Sequence, residues 1–307
     1  MPENNNDVKN FKSGFAVVLG LSSSGKSTLI NAVIGEKVAI VSSKKQSTRT
    51  PLRGIYTDDK SQIIFIDTPG FFKPKDKLEE YMLASMINSI DAADVIVFVA
   101  DITTPLSAVP QEFIDLVIKA KQPKILAISK MDKIKEFNLS ENIDYVGFST
   151  YFNETITVSA VSGLNLNKLT DSIANQLPYG DMLYPEDEIT DASSRFIISE
   201  VIRESICEIT HDEIPYSIAV ICDELTQREN NVYYMACTVY VERDSQKGIV
   251  IGRNGTVIKK IGTRSRQIIE NVLGIKAYLD VRVKVSEKWR KNDMFLRSLG
   301  YFVSKKR

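Results

Sequence analysis

Gly20-Leu-Ser-Ser-Ser-Gly25-Lys26-Ser27-Thr28 is the stretch that decides the fold, because it joins an apolar run to a segment with helical spacing. The run before it, residues 15–19, predicts a buried strand, and residues 26–34 predict a helix. A glycine-rich loop between a strand and a helix points backbone N–H groups at one place, and the helix dipole adds positive charge there. The stretch therefore predicts a phosphate-binding P-loop in an α/β domain.

Short apolar runs and longer amphipathic stretches keep alternating after this loop, which is typical of a mostly parallel sheet with crossover helices. Pro178 ends the pattern, because proline cannot continue a helix. The later predicted strands are residues 63–66, 95–100, 124–128 and 155–158, and the later predicted helices are residues 79–90, 109–121 and 166–177.

The rest of the 307-residue chain predicts a second domain, of the α+β class. We expect a disordered tail at 1–12, the first domain at 13–178, a linker at 179–191 and the second domain at 192–307. The elements of the second domain follow the order helix, strand, strand, helix, loop, helix, strand. The first helix is predicted at 195–209 and the two strands at 217–222 and 233–241. A helix and the loop extend up to 255, the next helix is predicted at 256–272 and the last strand at 278–285. A short helix at 288–299 follows.

Charge is distributed unevenly along the chain, although 39 Lys and Arg residues balance 39 Asp and Glu residues overall. Residues 245–307 contain 16 basic and 4 acidic residues, whereas residues 185–244 contain 4 basic and 14 acidic residues. The overall charge of zero predicts no polyanion partner, but the average conceals this asymmetry between neighbouring segments.

Cysteine usage and hydropathy indicate the compartment. The three cysteines and the single histidine give neither a disulfide framework nor a zinc-ligand spacing, which favours a reducing cytoplasm. No run approaches the roughly 18 apolar residues of a membrane span, and the first residues lack the basic and apolar regions of a signal peptide. We therefore expect a soluble cytoplasmic protein.

Polar motifs after the later strands identify the nucleotide. Asp67-Thr68-Pro69-Gly70 follows one strand and places a carboxylate beside a metal and a glycine N–H near a γ phosphate. Ser129-Lys130-Met131-Asp132 ends another strand, where an Asp can accept two hydrogen bonds from guanine but not from adenine. Ser159-Ala160, after the next strand, can supply a backbone N–H to the guanine carbonyl. In this order the motifs resemble the translation-factor-like class of GTPases.

The phosphate and metal ligands follow from the same motifs. Lys26 is expected to reach the β and γ phosphates, and Ser27 to coordinate Mg²⁺ through its hydroxyl. Thr48 lies where such GTPases keep a threonine that touches Mg²⁺ and the γ phosphate, with Ser47 as the neighbouring alternative. Loss of the γ phosphate would release this loop and the one after Gly70.

Two positions depart from the usual GTPase pattern. Phe71 stands where many small GTPases have a water-orienting Gln, so we expect slow hydrolysis, helped by a monovalent cation, a partner or a backbone group. Ser129 stands where the pattern has Asn. A hydroxyl is shorter and makes fewer hydrogen bonds, so we expect weaker nucleotide affinity, by very roughly 1 kcal/mol per lost bond.

Gly252-Arg253-Asn254-Gly255 predicts a second functional loop in the basic part of the chain. Two glycines around two polar residues let a nucleic-acid backbone approach closely, and KH folds use such a loop to clamp about four nucleotides. Aromatic residues are scarce around the loop, so we expect backbone and base-edge contacts to dominate over stacking. The expected RNA contacts are Lys247, Gly252, Arg253, Asn254, Gly255, Lys259, Lys260, Arg264 and Arg266.

Together these residues resemble the Era family of bacterial GTPases, TrmE-Era-EngA-like proteins with a C-terminal type-2 KH domain. The resemblance covers nearly the whole chain after the tail. Beside the loops above, it rests on Pro185-Glu-Asp, Ile214-Pro-Tyr-Ser217, Gly248-Ile-Val-Ile-Gly252, Val283-Lys-Val285 and Arg297-Ser-Leu-Gly-Tyr301.

The resemblance implies a monomeric GTP-dependent assembly factor that binds the 3′ end of small-subunit ribosomal RNA and the small ribosomal subunit, with peripheral association at the inner membrane. Its catalytic set is Lys26, Thr48, Asp67 and Gly70, and its Mg²⁺ ligands are Ser27, Thr48 and Asp67. Ser22-Ser23-Ser24 stands where the family usually has Pro-Asn-x, which removes the Asn that the resemblance implies as a K⁺ contact and leaves Ser23 as the candidate to replace it. The implied GTP contacts are Gly20, Leu21, Ser22, Ser23, Ser24, Gly25, Lys26, Ser27, Thr28, Asp67, Thr68, Pro69, Gly70, Phe71, Ser129, Lys130, Met131, Asp132, Ser159 and Ala160.

Two other function classes stay open at this point. A P-loop kinase or ATPase would need an acceptor pocket and would not need Asp132. An RNA-binding scaffold with a weakened nucleotide site is favoured by Ser129 and Phe71, and it would bind RNA without GTP turnover.

Overall fold

The computed structural model describes residues 10–39, 48–136, 144–229 and 231–301, with residues 135, 136, 144 and 146 described for their backbone only. Within these ranges the chain divides into two compact units. The first unit holds residues 10–39, 48–73 and 82–191, and the second holds residues 74–81 and 192–301. Of the predicted tail, residues 1–9 lie outside the described residues, and Lys12 already belongs to the first strand.

Six described strands form the sheet of the first unit, in the order β2-β3-β1-β4-β5-β6. β2 runs antiparallel to β3, and all other neighbours are parallel. The predicted mostly parallel sheet is therefore confirmed. The strands are β1 (Lys12–Leu19), β2 (Leu52–Thr57), β3 (Ser61–Asp67), β4 (Val95–Asp101), β5 (Lys124–Ser129) and β6 (Glu154–Thr157).

Both faces of this sheet are buried, which explains why its strands are continuous apolar runs. In β1, Ala16 and Val18 pack into one hydrophobic cluster, whereas Val17 and Leu19 pack into the other. The parallel strands also end at one common edge, so the polar residues that follow them are brought together. That edge carries the predicted nucleotide site.

Helices connect these strands and begin or end at identifiable residues. Pro110 is the N-cap of α3, so this helix begins two residues later than its predicted start, and Gly25 and Gly35 cap the two ends of α1. The described α-helices before Pro178 are α1 (Lys26–Ile34), α2 (Lys77–Asp91), α3 (Gln111–Lys119), α4 (Asp144–Ser149) and α5 (Leu166–Gln176).

The segment predicted as the linker, residues 179–191, packs along β2 and β3 within the first unit. The carbonyl of Ile189 accepts a hydrogen bond from Ile55 N at 2.8 Å, which continues the hydrogen bonding beyond the edge strand. Gln62 Oε1 accepts from the N–H groups of Leu183 and Tyr184 at 2.7 and 2.9 Å. The Ile189 bond pairs a backbone group of the edge strand that would otherwise be unpaired, and the Gln62 bonds hold the segment beside it.

The second unit contains a three-stranded sheet in the order β7-β8-β9. β7 pairs antiparallel with β8, and β8 pairs parallel with β9. α6 and α9 cover one face of the sheet, with a common apolar core that includes Ile202, Val239 and Ile261. The elements are α6 (Ser194–Ile209), α7 (Ile214–Ser217), β7 (Ala219–Gln227), β8 (Val232–Val241), α8 (Asp244–Ile251), α9 (Thr256–Leu273), β9 (Lys276–Val285) and α10 (Asp293–Ser298).

Two sequence-based bounds in this unit are wrong for local reasons. Residue 217 is predicted as the start of a strand but ends a helical turn, because Pro215 favours the first positions of a helix. The single helix predicted at 288–299 is divided, since the Asn292 side chain accepts hydrogen bonds from two N–H groups and caps a new helix. Among the described residues, no helix combines the length and apolar character needed to cross a membrane.

Candidate functional site

The glycine-rich loop turns from β1 into α1 and brings its lysine back over its own carbonyl groups. Lys26 Nζ donates to the carbonyl oxygens of Leu21 at 2.9 Å and Gly20 at 3.2 Å. Burial lowers the pKa of Lys26 to about 8, and the nearby carboxylate of Asp67 acts in the opposite direction. The loop therefore holds a buried ammonium group that donates to two carbonyl oxygens. Phosphate oxygens can take the place of these two acceptors.

Three oxygen-bearing side chains meet beside this lysine. Asp67 Oδ2, at the end of β3, accepts hydrogen bonds from Ser27 Oγ at 2.6 Å and from Thr48 Oγ1 at 3.1 Å. The two hydroxyl oxygens are 3.2 Å apart. Thr48 is therefore placed beside the predicted metal ligands, and its alternative, Ser47, lies outside the described residues.

The second oxygen of Asp67 supports a metal site at this position. Asp67 Oδ1 is buried and has no hydrogen-bond partner among the described residues. Burial raises the pKa of Asp67, while Lys26 and the two hydroxyls act against that rise. A carboxylate and two hydroxyls are the hard oxygen ligands that Mg²⁺ prefers, and a bound cation would satisfy the unpaired oxygen. The residues present therefore fit Mg²⁺.

The Asp67-Thr68-Pro69-Gly70 motif is packed directly against the P-loop. A Cβ atom on Gly70 would lie 2.4 Å from the backbone nitrogen of Ser22, so only glycine fits there. Phe71 N donates to the carbonyl of Gly20 at 3.2 Å, and Thr68 Oγ1 donates to the carbonyl of Val18 at 2.7 Å. The two loops are therefore joined by short contacts.

Phe71 itself belongs to the hydrophobic packing of the first unit. Its ring stacks on that of Phe113, with centroids 4.5 Å apart and planes 9° apart. A ring held in this way has no group that could orient an attacking water by hydrogen bonding.

The residues after β5 brace the P-loop from its other side. Ser129 Oγ lies 2.8 Å from the carbonyl oxygen of Ser24 and 3.1 Å from that of Ala100. One hydroxyl proton can serve only one of these two acceptors at a time, whereas the two protons of an Asn amide can serve two. The brace expected of an Asn is therefore present but incomplete.

A second brace comes from Lys130. Its Nζ donates to the carbonyl of Ser23 at 2.9 Å and forms an ion pair with Asp101 at 2.5 Å. Asp101 is absent from the sequence-based set of site residues. The signal that could have found it is a carboxylate at the end of an apolar strand, at the same edge as Asp67.

The predicted guanine-binding residues lie together. Ser159 Oγ donates to Asp132 Oδ1 at 2.6 Å, which holds a carboxylate that is otherwise exposed. The N–H of Ser159 donates to the carbonyl of Leu164 at 3.2 Å, and Met131 N donates to the carbonyl of Val158 at 3.3 Å. The sequence predicts that one N–H of the Ser159-Ala160 pair binds guanine. Because the Ser159 N–H is already bonded to Leu164, we expect the N–H of Ala160 to make this contact.

The loop Gly252-Arg253-Asn254-Gly255 is a tight turn between α8 and α9. Gly252 has φ 73°, and a Cβ atom there would lie 2.4 Å from the Val257 side chain, so glycine is required. Asn254 has φ 53°, which Asn tolerates better than most residues. The side chains of Arg253 and Asn254 are exposed. The turn therefore offers a close backbone approach beneath two polar side chains.

The basic residues of α9 line two different grooves of the second unit. Lys259 and Arg266 line a groove of about 300 Å³ with an apolar side formed by Ile258, Leu279 and Val281. The residues of the other groove, of about 700 Å³, include Lys259 again together with Lys260, Arg264, Glu208 and His211.

The expected RNA residues are thus distributed over two grooves that share Lys259. Arg264 forms an ion pair with Glu208, and Lys247 is half-buried on α8. Further along, Trp289 is fully buried and donates through Nε1 to the carbonyl of Ser217 at 2.9 Å. Trp289 therefore has a structural role, and the basic residues 305–307 lie outside the described residues.

These two sites define a class: a P-loop GTP-binding unit joined to an RNA-binding KH unit. Residues 15–130 match the family model described as a 50S ribosome-binding GTPase, and residues 213–290 match the KH domain model. GTPase Era of Carboxydothermus hydrogenoformans is 42% identical over 292 residues, which are 95% of this chain and 98% of the relative. The chain belongs to the Era family of GTPases.

Two solved structures share the whole architecture. One is the crystal structure of a point variant of Aquifex aeolicus Era bound to GDP and AlF₄⁻, with a TM-score of 0.90, 36% identity and coverage of 95% of this chain and 100% of the other. The other is Era in complex with MgGDPNP and nucleotides 1506–1542 of 16S ribosomal RNA, with the same score, identity and coverage. The predicted fold of both units is thereby confirmed.

Proposed function

We propose that this GTPase binds Mg²⁺ and GTP in its first unit and the 3′ end of small-subunit ribosomal RNA in its second, and so assists assembly of the small ribosomal subunit. The observation that carries the proposal is that one chain contains both the Lys26, Ser27, Thr48 and Asp67 cluster and the Gly252-Arg253-Asn254-Gly255 loop. A relative that is 36% identical over 95% of this chain was solved with MgGDPNP and ribosomal RNA together.

The phosphates of GTP would lie at the edge where the parallel strands end. Lys26 exchanges its carbonyl partners for the β and γ phosphates, and the Gly70 N–H meets the γ phosphate. Ser27, Thr48 and Asp67 hold Mg²⁺, which neutralises charge on the phosphate oxygens when bound. Water attacks the γ phosphorus, the bond to the β phosphate oxygen breaks, and GDP and phosphate are released.

Slow hydrolysis follows from Phe71. The ring that stacks on Phe113 cannot orient the attacking water, so the chemistry relies on charge neutralisation and on backbone groups. We include a monovalent cation such as K⁺ in the proposal, with Ser23 as its P-loop ligand. GTP turnover in KCl against NaCl tests this, and equal rates would remove the cation from the scheme.

Guanine selectivity rests on Asp132, which Ser159 holds by a short hydrogen bond. The carboxylate accepts from the N1–H and the exocyclic amine of guanine, a pair of donors that adenine lacks. Competition against a fluorescent GTP analogue tests this selectivity. We expect GTP and GDP to displace the analogue. Equal displacement by ATP would contradict guanine selectivity and favour a kinase or ATPase function instead.

RNA binding would centre on the Gly252-Arg253-Asn254-Gly255 turn and the groove that carries Lys259 and Arg266. The turn clamps the backbone, and the apolar side of the groove contacts bases. Lys247, Lys260 and Arg264 take the outer phosphates. The test is titration of a single-stranded RNA with the sequence of the 3′ end of small-subunit ribosomal RNA, with a scrambled strand as the control.

A scaffold without turnover is the alternative, and it would bind the same RNA. A GTP turnover assay separates the two functions, because the scaffold would release no phosphate and Lys26→Ala would leave ribosome assembly intact. The proposal also includes a monomeric, cytoplasmic protein with peripheral contact at the inner membrane. Its support is family membership, and flotation with vesicles of anionic lipid tests the membrane contact.

A further inference from the structure

Two of the three cysteines lie opposite each other in the sheet of the second unit. Cys222 on β7 and Cys237 on β8 are partners in the antiparallel register, so their side chains point to the same face of the sheet. Both residues belong to the apolar core that α6 and α9 cover, and both are reduced thiols. The fold therefore brings together two nucleophilic side chains that the nucleotide and RNA sites do not use.

The backbone of Cys222 shows which kind of strand pair this is. Its N–H donates to Ser199 Oγ at 3.0 Å, and its carbonyl accepts from Arg195 at 3.2 Å. Both groups are thus bonded to α6 rather than to β8, which makes Cys222 and Cys237 a non-hydrogen-bonded pair. The two Cα atoms of such a pair are about 4.5 Å apart, within the range of about 4.4–6.8 Å that a disulfide spans.

The two thiols differ in reactivity. The hydrogen bond from Cys237 lowers the pKa of Cys222, and the cation of Arg195 adds to this effect while burial opposes it. The same hydrogen bond, together with burial, raises the pKa of Cys237. Because the thiolate is the nucleophile, Cys222 is the thiol that reacts first, and Cys237 is placed to react with its product.

Cys222 also has the better access to a small oxidant. It lies on β7, at one edge of the three-stranded sheet, and the register shifts between Cys222 and Glu224. It is 5% exposed, whereas Cys237 on the central strand is 1% exposed. A bulge disrupts the ladder locally, and regions with few ladder bonds open at a lower free energy than the core does. Opening at the bulge therefore reaches Cys222 before Cys237.

We propose that Cys222 and Cys237 are a reversible oxidation site, at which a peroxide converts the two thiols into a disulfide between β7 and β8. The Cys222 thiolate attacks one oxygen of hydrogen peroxide, the O–O bond breaks, hydroxide leaves, and Cys222 becomes a sulfenic acid. The Cys237 sulfur then attacks the Cys222 sulfur, the S–O bond breaks, and the oxygen leaves as water with the Cys237 proton. Two electrons pass from the two sulfurs to the peroxide, and a dithiol reductant returns them.

The disulfide would act on the sheet that carries the RNA groove. Cys237 is also the register partner of Val281 on β9, and Val281 lines the groove that contains Lys259 and Arg266. A covalent link between β7 and β8 reduces the conformational freedom of the unfolded chain and so favours the folded unit. The inference goes beyond GTP and RNA binding, because it makes the stability of the second unit depend on the redox state of its surroundings. Disulfides in a reducing cytoplasm are usually transient in this way.

The experiment treats the full chain with a small molar excess of hydrogen peroxide and then labels the remaining thiols with a maleimide after unfolding. Mass spectrometry should find one labelled cysteine in each oxidised chain, compared with three in the reduced chain, and peptide mapping should find Cys222 linked to Cys237. Dithiothreitol should restore three labelled cysteines. The midpoint of thermal unfolding should be several degrees higher in the oxidised protein than in the reduced protein.

Two variants serve as controls. Cys207→Ala removes the third buried cysteine, whose sulfur lies 3.9 Å from the carbonyl oxygen of Pro215, and should form the same disulfide as wild type. Cys222→Ala should form no disulfide, and any change that peroxide causes in this variant measures methionine oxidation instead. Thermal unfolding of both reduced variants checks that they fold.

The other outcomes would overturn the proposal. Three labelled cysteines after peroxide treatment, a link that involves Cys207, or a link between two chains would each contradict the pairing. A link between Cys222 and Cys237 with an unchanged or lower unfolding midpoint would show that the strands must distort to form it. That result would contradict the claim that the register already holds the two thiols in a geometry that a disulfide can adopt.

Discussion

The nucleotide site and the RNA groove are built in opposite ways. In the first unit, Lys26, Asp67 and Ser129 are each at most 5% exposed and have fixed partners at hydrogen-bond distance. In the second unit, Lys259 and Arg266 are exposed on one helix. A buried polar network fails when one member is removed, whereas exposed cations contribute in small increments. Substitutions should therefore separate the two sites by the size of their effects.

The largest effect is expected for Lys26→Met. The change removes the ammonium group that would bind the β and γ phosphates and replaces it with an apolar side chain of similar length. We expect GTP affinity to fall by about 100-fold or more, since the lost contact is a charge-assisted hydrogen bond in a buried site. Titration with a fluorescent GTP analogue measures this.

The matched control for Lys26→Met is Lys60→Met, which changes an exposed lysine at the opposite edge of the sheet. The control should bind GTP as wild type does. Equal affinities for wild type and Lys26→Met would show that the P-loop lysine is not a phosphate ligand.

Alkaline pH should act on the same group. Burial lowers the pKa of Lys26 to about 8, so in the absence of nucleotide the amine loses its proton above that pH. GTP binding then requires proton uptake, and affinity should be constant below pH 8 and fall by up to about tenfold per unit above it. A flat affinity profile from about pH 7 to 9.5 would contradict this assignment.

The stability of the nucleotide-free protein should change in the opposite direction. The unfolded state keeps the Lys26 proton up to its ordinary pKa of 10.5, so between about 8 and 10.5 it binds more protons than the folded state. The contribution of Lys26 to the free energy of unfolding therefore rises over that range. Denaturant unfolding of wild type and Lys26→Met measures how the difference between them changes with pH, and that change should be absent below about pH 7.

Removal of one RNA-groove cation should have a moderate effect. Lys259→Ala is expected to weaken RNA binding several-fold and to reduce the slope of log affinity against log salt concentration by about 0.7, one single-strand phosphate contact. Lys284→Ala, on the other face of the sheet, is the control and should leave the slope unchanged. An unchanged slope in Lys259→Ala would place the RNA elsewhere.

Substitutions of Ser129 should change GTP affinity by a smaller amount, and the direction of the change should depend on the new residue. Ser129→Ala removes the hydroxyl that braces the carbonyls of Ser24 and Ala100, and GTP affinity should fall about fivefold for one lost hydrogen bond. Ser129→Asn supplies two donors and should bind GTP more tightly than wild type. Calorimetric titration compares the three proteins, and the order Ala, Ser, Asn in rising affinity is the prediction.

The smallest effect is expected for Ser24→Ala. Ser24 Oγ is buried without a hydrogen-bond partner among the described residues, and such a hydroxyl costs about 1 kcal/mol or more. Its removal should raise the free energy of unfolding by about that amount and leave RNA binding unchanged. A loss of stability in urea unfolding would show that the hydroxyl has a partner.

The sequence predicts what depends on local pattern. The strand-loop-helix at Gly25 follows from periodicity and glycine placement, as do the central strands of the buried sheet. β2 is absent from the predicted strands, because Leu52–Thr57 contains Arg53 and Gly54 and is held by pairing with β3 rather than by an apolar run. Strand propensity at a sheet edge depends on such partners.

Contacts between residues that are far apart in the chain could not be predicted from the sequence. Tyr234 and Tyr278 meet only because β8 and β9 pair in one register, which no spacing in the chain indicates. The same holds for Asp101 and Lys130, which lie at the ends of neighbouring strands, and for the linker segment along β2. In each case the partner is determined by topology, whereas the residue types alone suggested only a charged or aromatic surface.

One measurement tests most directly whether nucleotide state in one unit determines RNA binding by the other. The affinity for a single-stranded RNA from the 3′ end of small-subunit ribosomal RNA is measured with a GTP analogue, with GDP and without nucleotide. We predict tighter binding with the GTP analogue than with GDP, and loss of that difference in Lys26→Met. Equal affinities in all three states would contradict the switch and leave two independent sites in one chain.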